Sequence, residues 1–123
     1  MNEPGFNLFV YGSLRRDGEA AHMMADCEHI MHASVNGTLY DCGRFPALML
    51  YGRSEVHGEV WRCPAHRLEA LDSYEGLQDG AFRRVGVRID GLPCWTYVAG
   101  PALSRTLTPQ RVIRDGRWPR TRA

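Results

Sequence analysis

The chain has 123 residues, of which 44% are hydrophobic, and a formal net charge of +1 at pH 7. This length fits one globular domain with a buried core, so we treat residues 1–123 as a single domain. All 15 basic residues are arginine, which excludes lysine Schiff-base chemistry and ordinary pyridoxal phosphate catalysis. No apolar stretch has the length of a membrane helix, and no signal peptide is recognisable. We therefore expect a cytoplasmic protein that does not bind membranes.

The charge is distributed unevenly along the chain. Residues 1–104 contain nine arginines and thirteen acids, a net charge of −4, whereas residues 105–123 contain six arginines and one acid, a net charge of +5. A basic tail can contact nucleic acid, but Trp118 is its only aromatic residue and it offers no stacking platform. We interpret residues 105–123 as an arginine-rich C-terminal tail folded over a mildly acidic body, and we expect no nucleic-acid partner.

The first half of the chain reads mainly as strands. An apolar run ending at Gly12 predicts a buried first strand, and a stretch rich in alanine and methionine is compatible with a short helix. Alternation of Val56, Gly58 and Val60 with polar or larger residues is typical of a half-buried strand. The predicted elements are a strand at 7–11, a helix at 18–31, and strands around 35–41, 47–51 and 55–62.

The second half contains the clearest helix, in the segment CPAHRLEALDSYEG at residues 63–76. Pro64 suits the first turn of a helix, and Gly76 suits the residue just past its end. The following segment, residues 82–99, predicts two antiparallel strands joined by a loop at residues 90–93. Strands and helices do not alternate regularly, so the sequence predicts an α+β fold with a compact mixed, β-barrel-like sheet and a few flanking short helices.

Glu75 occupies an unusual position on this helix. Leu68, Leu71 and Glu75 are spaced three and four residues apart, so the glutamate lies on the apolar stripe of the helix. Burial and the negative end of the helix dipole both raise the pKa of a carboxyl group, which suits it to exchange protons near neutral pH. The alternative is that Glu75 turns outward and pairs with Arg83 or Arg84; we interpret Glu69 and Asp72 as surface acids.

The turn at Gly12 and Ser13 is a second candidate. A strand that stops at such a turn can present successive backbone N–H groups to an oxyanion or a carboxylate. Glycine permits unusual backbone angles or the close approach of a ligand. Ser13 is not predicted to be a nucleophile, because YGSLR is not the G-x-S-x-G sequence and no histidine or aspartate is marked as its partner.

The spacing of cysteines and histidines along the sequence does not match a known metal-binding motif. The four cysteines contain no C-x-x-C pair, and we interpret them as free thiols, although their even number leaves disulfides open. His22, His29 and His32 lie close to Cys27 in the sequence, but no second cluster completes a tetrahedral set. We therefore expect surface or half-buried histidines and no metal.

Taken together, these segments resemble the gamma-glutamylcyclotransferase-like family, also described as AIG2-like, with the BtrG-like fold. The resemblance spans roughly residues 8–118 and is carried in order by FVYGSLR, GTLYDCGRFPAL, HGEVWRC, LEALDSYEG, FRRVGVRI and CWTYV. It implies that the turn after the first strand binds substrate and that the glutamate of the D-x-Y-E-G motif is the catalytic acid and base. The implied site residues are Glu75 as the catalytic group and Tyr11, Gly12, Ser13, Leu14 and Tyr97 as substrate-binding groups. Many members carry tyrosine where this chain has Phe82.

The resemblance also implies a reaction. The free α-amine of a gamma-glutamyl group attacks its own side-chain carbonyl, closing 5-oxoproline and releasing an amine, so no cofactor is required. The implied partner is a small gamma-glutamyl compound, and the implied state is a monomer or a homodimer. Aromatic or apolar walls are expected from Tyr11, Tyr97 and residues 45–48. The alternative functions are a non-catalytic binding module for a small carboxylate ligand and a nucleic-acid accessory protein that uses the tail.

Overall fold

The computed structural model describes residues 4–119 and contains a five-stranded mixed sheet. The strands lie in the order β2-β3-β1-β5-β4, and only the β1–β5 pair is parallel. The edge strands β2 and β4 are not paired with each other in this part of the chain, so the sheet is open. The α+β prediction is confirmed. The strands are β1 (Gly5–Val10), β2 (Glu28–Asp41), β3 (Pro46–Pro64), β4 (Phe82–Ile89) and β5 (Leu92–Ala99), and the α-helices are α1 (Leu68–Tyr74) and α2 (Pro101–Ser104).

Strand β1 lies at the centre of the sheet. It pairs with β3 along its whole length and with β5 on its other side. Leu8 and Val10 join the core on one face of the sheet, whereas Phe9 joins the core on the other face. Burial on both faces explains why this strand reads as a continuous apolar run. The turn that follows β1 therefore begins in the middle of the domain.

Strands β2 and β3 form one long antiparallel hairpin, which changes two predictions. The predicted helix at 18–31 is wrong beyond its middle, because only Ala21–Met24 form a 3₁₀ helix and β2 already begins at Glu28. Residues 28–36 alternate between exposed and half-buried, so pairing with β3 overrides the local helical preference. The separate strands predicted at 47–51 and 55–62 are both parts of the single strand β3. The pairing with β2 skips residues 50–53, because Thr38 pairs with Met49 and the preceding Gly37 pairs with Ser54.

The predicted helix before Glu75 is confirmed with a small shift at its start. Pro64 is the last residue of β3, a 3₁₀ turn follows at Ala65–Arg67, and α1 continues to Tyr74. Gly76 has a φ of 68°, the left-handed conformation that commonly ends a helix. The hydrophobic stripe is anchored by Leu71, which is completely buried.

The strands β4 and β5 are joined by a turn tighter than predicted. Asp90 and Gly91 both have positive φ, 50° and 80°, as a two-residue hairpin turn requires. Leu92 and Pro93 belong to β5 rather than to the loop. The predicted hairpin itself is confirmed.

The described part of the tail packs against the sheet. Ile113 is buried in the core, and its amide donates to the carbonyl of Leu39. Gly116 approaches the backbone of Glu55 so closely that a Cβ atom would lie 1.9 Å from the Glu55 carbonyl oxygen. All four cysteines are free thiols. No helix within residues 4–119 is long and apolar enough to cross a membrane.

Candidate active site

A cavity of about 300 Å³ opens beside the C-terminal end of β1. Its walls come from the turn after β1, the loop before β3, the end of α1, the start of β4 and the middle of β5. It brings together all six residues that the sequence analysis proposed for the site. The lining residues are Phe9, Val10, Tyr11, Gly12, Ser13, Leu14, Phe45, Pro46, Tyr74, Glu75, Gly76, Ala81, Phe82 and Tyr97.

Glu75 is the one acid among these lining residues, and it caps the C-terminal end of α1. Its carboxylate has no hydrogen bond or ion pair to any residue between 4 and 119. Arg84, one of the two partners considered from the sequence, instead lies 3.1 Å from Asp72 through its Nε atom. Burial in the cavity raises the pKa of Glu75 to about 7. A carboxyl group with this pKa exchanges protons readily near neutral pH.

Tyr11 forms a rigid wall beside Glu75. Its hydroxyl donates to the carbonyl oxygen of Tyr97 over 2.6 Å and accepts the amide of Leu48 over 3.2 Å. Burial raises the pKa of Tyr11 well above its ordinary value, and the nearby charge of Glu75 raises it further. Tyr11 therefore remains neutral at physiological pH and holds β5 and β3 against the site.

The second tyrosine, Tyr97, is oriented by Asp72. The Tyr97 hydroxyl donates to Asp72 Oδ1 over 2.7 Å, and burial followed by this interaction raises the pKa of Tyr97. Arg84 compensates the charge of Asp72 at the same oxygen, because its Nε atom also lies close to Asp72 Oδ1. Interpreting Asp72 as a surface acid was therefore wrong, because this half-buried side chain supports a cavity wall. The sequence did not reveal this, since Tyr97 approaches it from a distant strand.

The turn after β1 lines the cavity with Gly12, Ser13 and Leu14. A hydrogen bond of 3.1 Å from the Arg15 amide to the Gly12 carbonyl closes the turn. The amides of residues 12–14 donate no backbone hydrogen bond within the described chain. Arg16 fixes the far end of the turn, because its amide donates to Glu59 Oε1 over 2.8 Å. The free amides are suited to hold substrate oxygens.

Gly12 is required for a reason that the sequence left open. Its φ is not in the left-handed region, so backbone freedom does not explain it. A Cβ atom at this position would lie 2.9 Å from Cγ and 3.1 Å from Cδ of Pro46. Close packing against the opposite wall of the cavity therefore selects glycine.

The remaining walls are mostly aromatic. Phe45 and Phe82 make an edge contact with ring centroids 5.8 Å apart, and Pro46 completes this side. Ala47 and Leu48 were expected in the wall but are completely buried, Ala47 in the core on one face of the sheet and Leu48 in the core on the other. The position of Phe82 places a ring without a hydroxyl in the cavity.

Tyr74 is a lining residue that the sequence analysis missed. Its hydroxyl lies 2.7 Å from Ser13 Oγ, which joins the end of α1 to the turn after β1. Among the lining residues described there is no histidine, so Ser13 has no imidazole partner in the cavity. Adjacent residues point in different directions on a helix, so the apolar stripe that singled out Glu75 gave no signal for Tyr74.

This chain is similar in sequence to a known family and to several known proteins. The profile of the family described as "Gamma-glutamyl cyclotransferase, AIG2-like" matches residues 8–120. The gamma-glutamylcyclotransferase family protein YtfP of Escherichia coli K12 is 30% identical over 112 residues, covering 90% of this chain and 94% of its own. A putative gamma-glutamylcyclotransferase of Vibrio cholerae is 32% identical over 119 residues, covering 90% and 93%.

The solution structure of YtfP from Escherichia coli has the same fold. It superimposes with a TM-score of 0.70 at 28% sequence identity, covering 92% of this chain and 96% of that chain. The match of the family profile extends over most of the sequence and includes every lining residue of the cavity. This chain therefore belongs to the gamma-glutamyl cyclotransferase, AIG2-like family.

Proposed function

We propose that this protein cyclises a gamma-glutamyl amide, releasing 5-oxoproline and a free amine. The observation that carries the proposal is Glu75, an acid without a protein partner in the described chain whose pKa is raised to about 7, in the same cavity as the free amides of residues 12–14. Membership of the family supports this class of reaction. A cavity of about 300 Å³ is at the small end of the range for ligand sites, which suits a glutamyl group.

The reaction proceeds by intramolecular aminolysis. Glu75 removes a proton from the substrate α-ammonium, and the resulting amine attacks the side-chain carbonyl carbon. A new C–N bond closes the five-membered ring, and the carbonyl oxygen becomes negative in the tetrahedral intermediate. Collapse of this intermediate breaks the C–N bond to the leaving amine, which receives the proton from Glu75. The remaining ammonium proton of the ring nitrogen passes to the same amine, so the lactam is neutral and the amine leaves as an ammonium ion. The same side chain therefore returns to its starting state.

The turn after β1 stabilises the charge that develops. One amide of residues 12–14 faces the oxyanion, and the others hold the α-carboxylate of the substrate. Loss of one such donor typically costs about 3 kcal/mol of transition-state stabilisation. These contacts also fold the flexible glutamyl chain so that its amine lies over its carbonyl, and well-oriented reactants gain up to about 7–11 kcal/mol.

The activity is tested by incubating the protein with a panel of gamma-glutamyl compounds and measuring 5-oxoproline by mass spectrometry. The panel contains gamma-glutamyl amino acids, a peptide, a gamma-glutamyl lysine ε-amide and a gamma-glutamyl polyamine, because the chemistry leaves the amine open. The Glu75→Gln protein serves as the blank for spontaneous cyclisation. Thermal stabilisation by these compounds without 5-oxoproline would instead identify a non-catalytic binding module.

The pH profile provides a separate prediction. Glu75 must be ionised to accept the first proton, and its pKa is about 7. We expect kcat/KM to rise about tenfold per pH unit below pH 7 and to level off above it. Steady-state rates between pH 5 and 9 measure this. A profile that is already flat at pH 5 would show that the ionisation of Glu75 does not control the rate.

A further inference from the structure

A group of possible metal ligands lies on the β2–β3 hairpin, and none of its members lines the cavity. His29 and His32 come from β2, and Glu59 comes from β3. Each offers a ligand atom, and these atoms all lie within 4.8 Å of one another. Sequence spacing did not reveal the group, because its carboxylate comes from a strand far along the chain.

An irregularity in β2 creates this arrangement. His29 pairs with Trp61 and His32 pairs with Glu59, and the register shifts between His29 and Met31. In a regular strand, residues three apart point to opposite faces of the sheet. The extra residue, Ile30, therefore turns both imidazoles to one face, and bulges commonly re-aim side chains in this way.

Glu59 is held in an orientation that leaves one oxygen free for a ligand. The residue is only 4% exposed, and its Oε1 atom accepts the Arg16 amide over 2.8 Å and the Trp61 indole N–H over 3.0 Å. Both hydrogen bonds fall on the same oxygen, and no donor in the described chain is bonded to Oε2. Hydrogen bonds of this kind orient carboxylates that bind metals.

His29 provides an independent sign of a missing partner. Its Nε2 atom is buried and has no hydrogen-bond partner within residues 4–119. Its ring is held in place by edge contacts with Trp61 at 5.3 Å and with His32 at 5.2 Å. A buried ring nitrogen without a partner is costly, and a metal ion would satisfy it.

We propose that His29, His32 and Glu59 form a binding site for a divalent transition-metal ion of the zinc class. Two imidazoles and a carboxylate are ligands that zinc prefers, and a water molecule would complete a tetrahedron. Ligand atoms at about 2.0–2.2 Å from zinc lie roughly 3.4 Å apart, so the present group must contract by roughly 1–1.5 Å. The exposed side chain of His32 makes this adjustment possible by rotation.

The site is tested by titrating ZnCl₂ into the full chain in isothermal calorimetry, with a reductant that does not bind metals. We expect one ion per chain. Loss of a residue that only hydrogen-bonds to a metal ligand typically lowers metal affinity by roughly 10–100-fold. His32→Ala and Glu59→Gln remove ligands themselves, so each should lower the zinc affinity by more than that. Glutamine retains an oxygen acceptor for Arg16 and Trp61, and His32 is exposed, so both variants should fold. The control is His22→Ala, because His22 is an exposed histidine outside the group. This variant should bind one zinc ion with the same affinity as the unmodified protein.

Substitution with Co²⁺ distinguishes this site from the free thiols. Ligation by nitrogen and oxygen gives visible d–d absorption without a thiolate charge-transfer band. Failure of the unmodified protein to bind one ion, unchanged affinity in His32→Ala and Glu59→Gln, or a thiolate band would each overturn the proposal. These measurements do not depend on turnover, so they test the metal site separately from the cyclisation reaction.

Discussion

Substitution of Glu75 by glutamine is expected to lower kcat for 5-oxoproline release by about 10²–10⁴-fold, because glutamine cannot accept or return the two protons of the reaction. The cavity should otherwise be preserved, since the two side chains have nearly the same shape. Mass spectrometry of 5-oxoproline, with the best compound from the substrate panel, measures the effect. Binding of the substrate should change much less than kcat, because the amides of residues 12–14 remain in place.

The matched control is Glu69→Gln on the same helix. Glu69 is exposed, as the sequence analysis predicted, and it does not line the cavity. This variant should cyclise substrate at the normal rate. Near-normal release of 5-oxoproline by the Glu75→Gln protein would remove Glu75 from the mechanism.

The same substitution has an opposite consequence for stability. The pKa of Glu75 rises from about 4.5 to about 7 on folding, so between these pH values the folded chain retains a proton that the unfolded chain releases. The free energy of unfolding therefore falls as pH rises through this window. The full shift corresponds to about 3 kcal/mol, and we expect about 1–2 kcal/mol because Glu75 remains partly exposed through the cavity.

Urea unfolding at pH 4 and pH 8 measures this difference. Glu75→Gln should be more stable than the unmodified protein at pH 8 and nearly equal to it at pH 4, where Glu75 is protonated in both states. A variant that is less stable by the same amount at both pH values would indicate a structural role for Glu75 instead. The combination of lost activity and gained stability is typical of a residue kept for function.

Gly12→Val is expected to lower kcat/KM by roughly 10²-fold, the loss that a displacement of about 1 Å produces in a preorganised site. The new side chain would press against the rigid ring of Pro46, since even a Cβ atom would lie 2.9 Å from Cγ. Either the turn or the opposite wall must move, and both line the cavity. Steady-state kinetics, with circular dichroism to check the fold, provides the measurement.

Gly86→Val is the matched control for this prediction. Gly86 lies exposed in β4, and a Cβ atom there would have no neighbour closer than 4.0 Å. Valine is favourable in strands, so both stability and turnover should be nearly unchanged. If Gly12→Val also leaves turnover undiminished, then the turn after β1 does not hold the substrate.

The sequence by itself determined the elements whose signals are local. The apolar run ending at Gly12 predicted β1, and the pattern between Pro64 and Gly76 predicted α1, because strand periodicity and helix-ending chemistry depend on neighbouring residues. The spacing of Leu71 and Glu75 also indicated a carboxyl group on an apolar face, and burial does raise its pKa. The resemblance to a family then joined these segments in one site.

Only the tertiary structure decided which distant groups meet. Residues 28–31 have a helical composition, but pairing with β3 makes them part of a strand. Asp72 reads as a surface acid until Tyr97 from β5 is placed against it, and His29 and His32 gain Glu59 only across the hairpin. Contacts of this kind join residues far apart in the chain, and they depend on strand register and bulges, which local sequence patterns specify weakly.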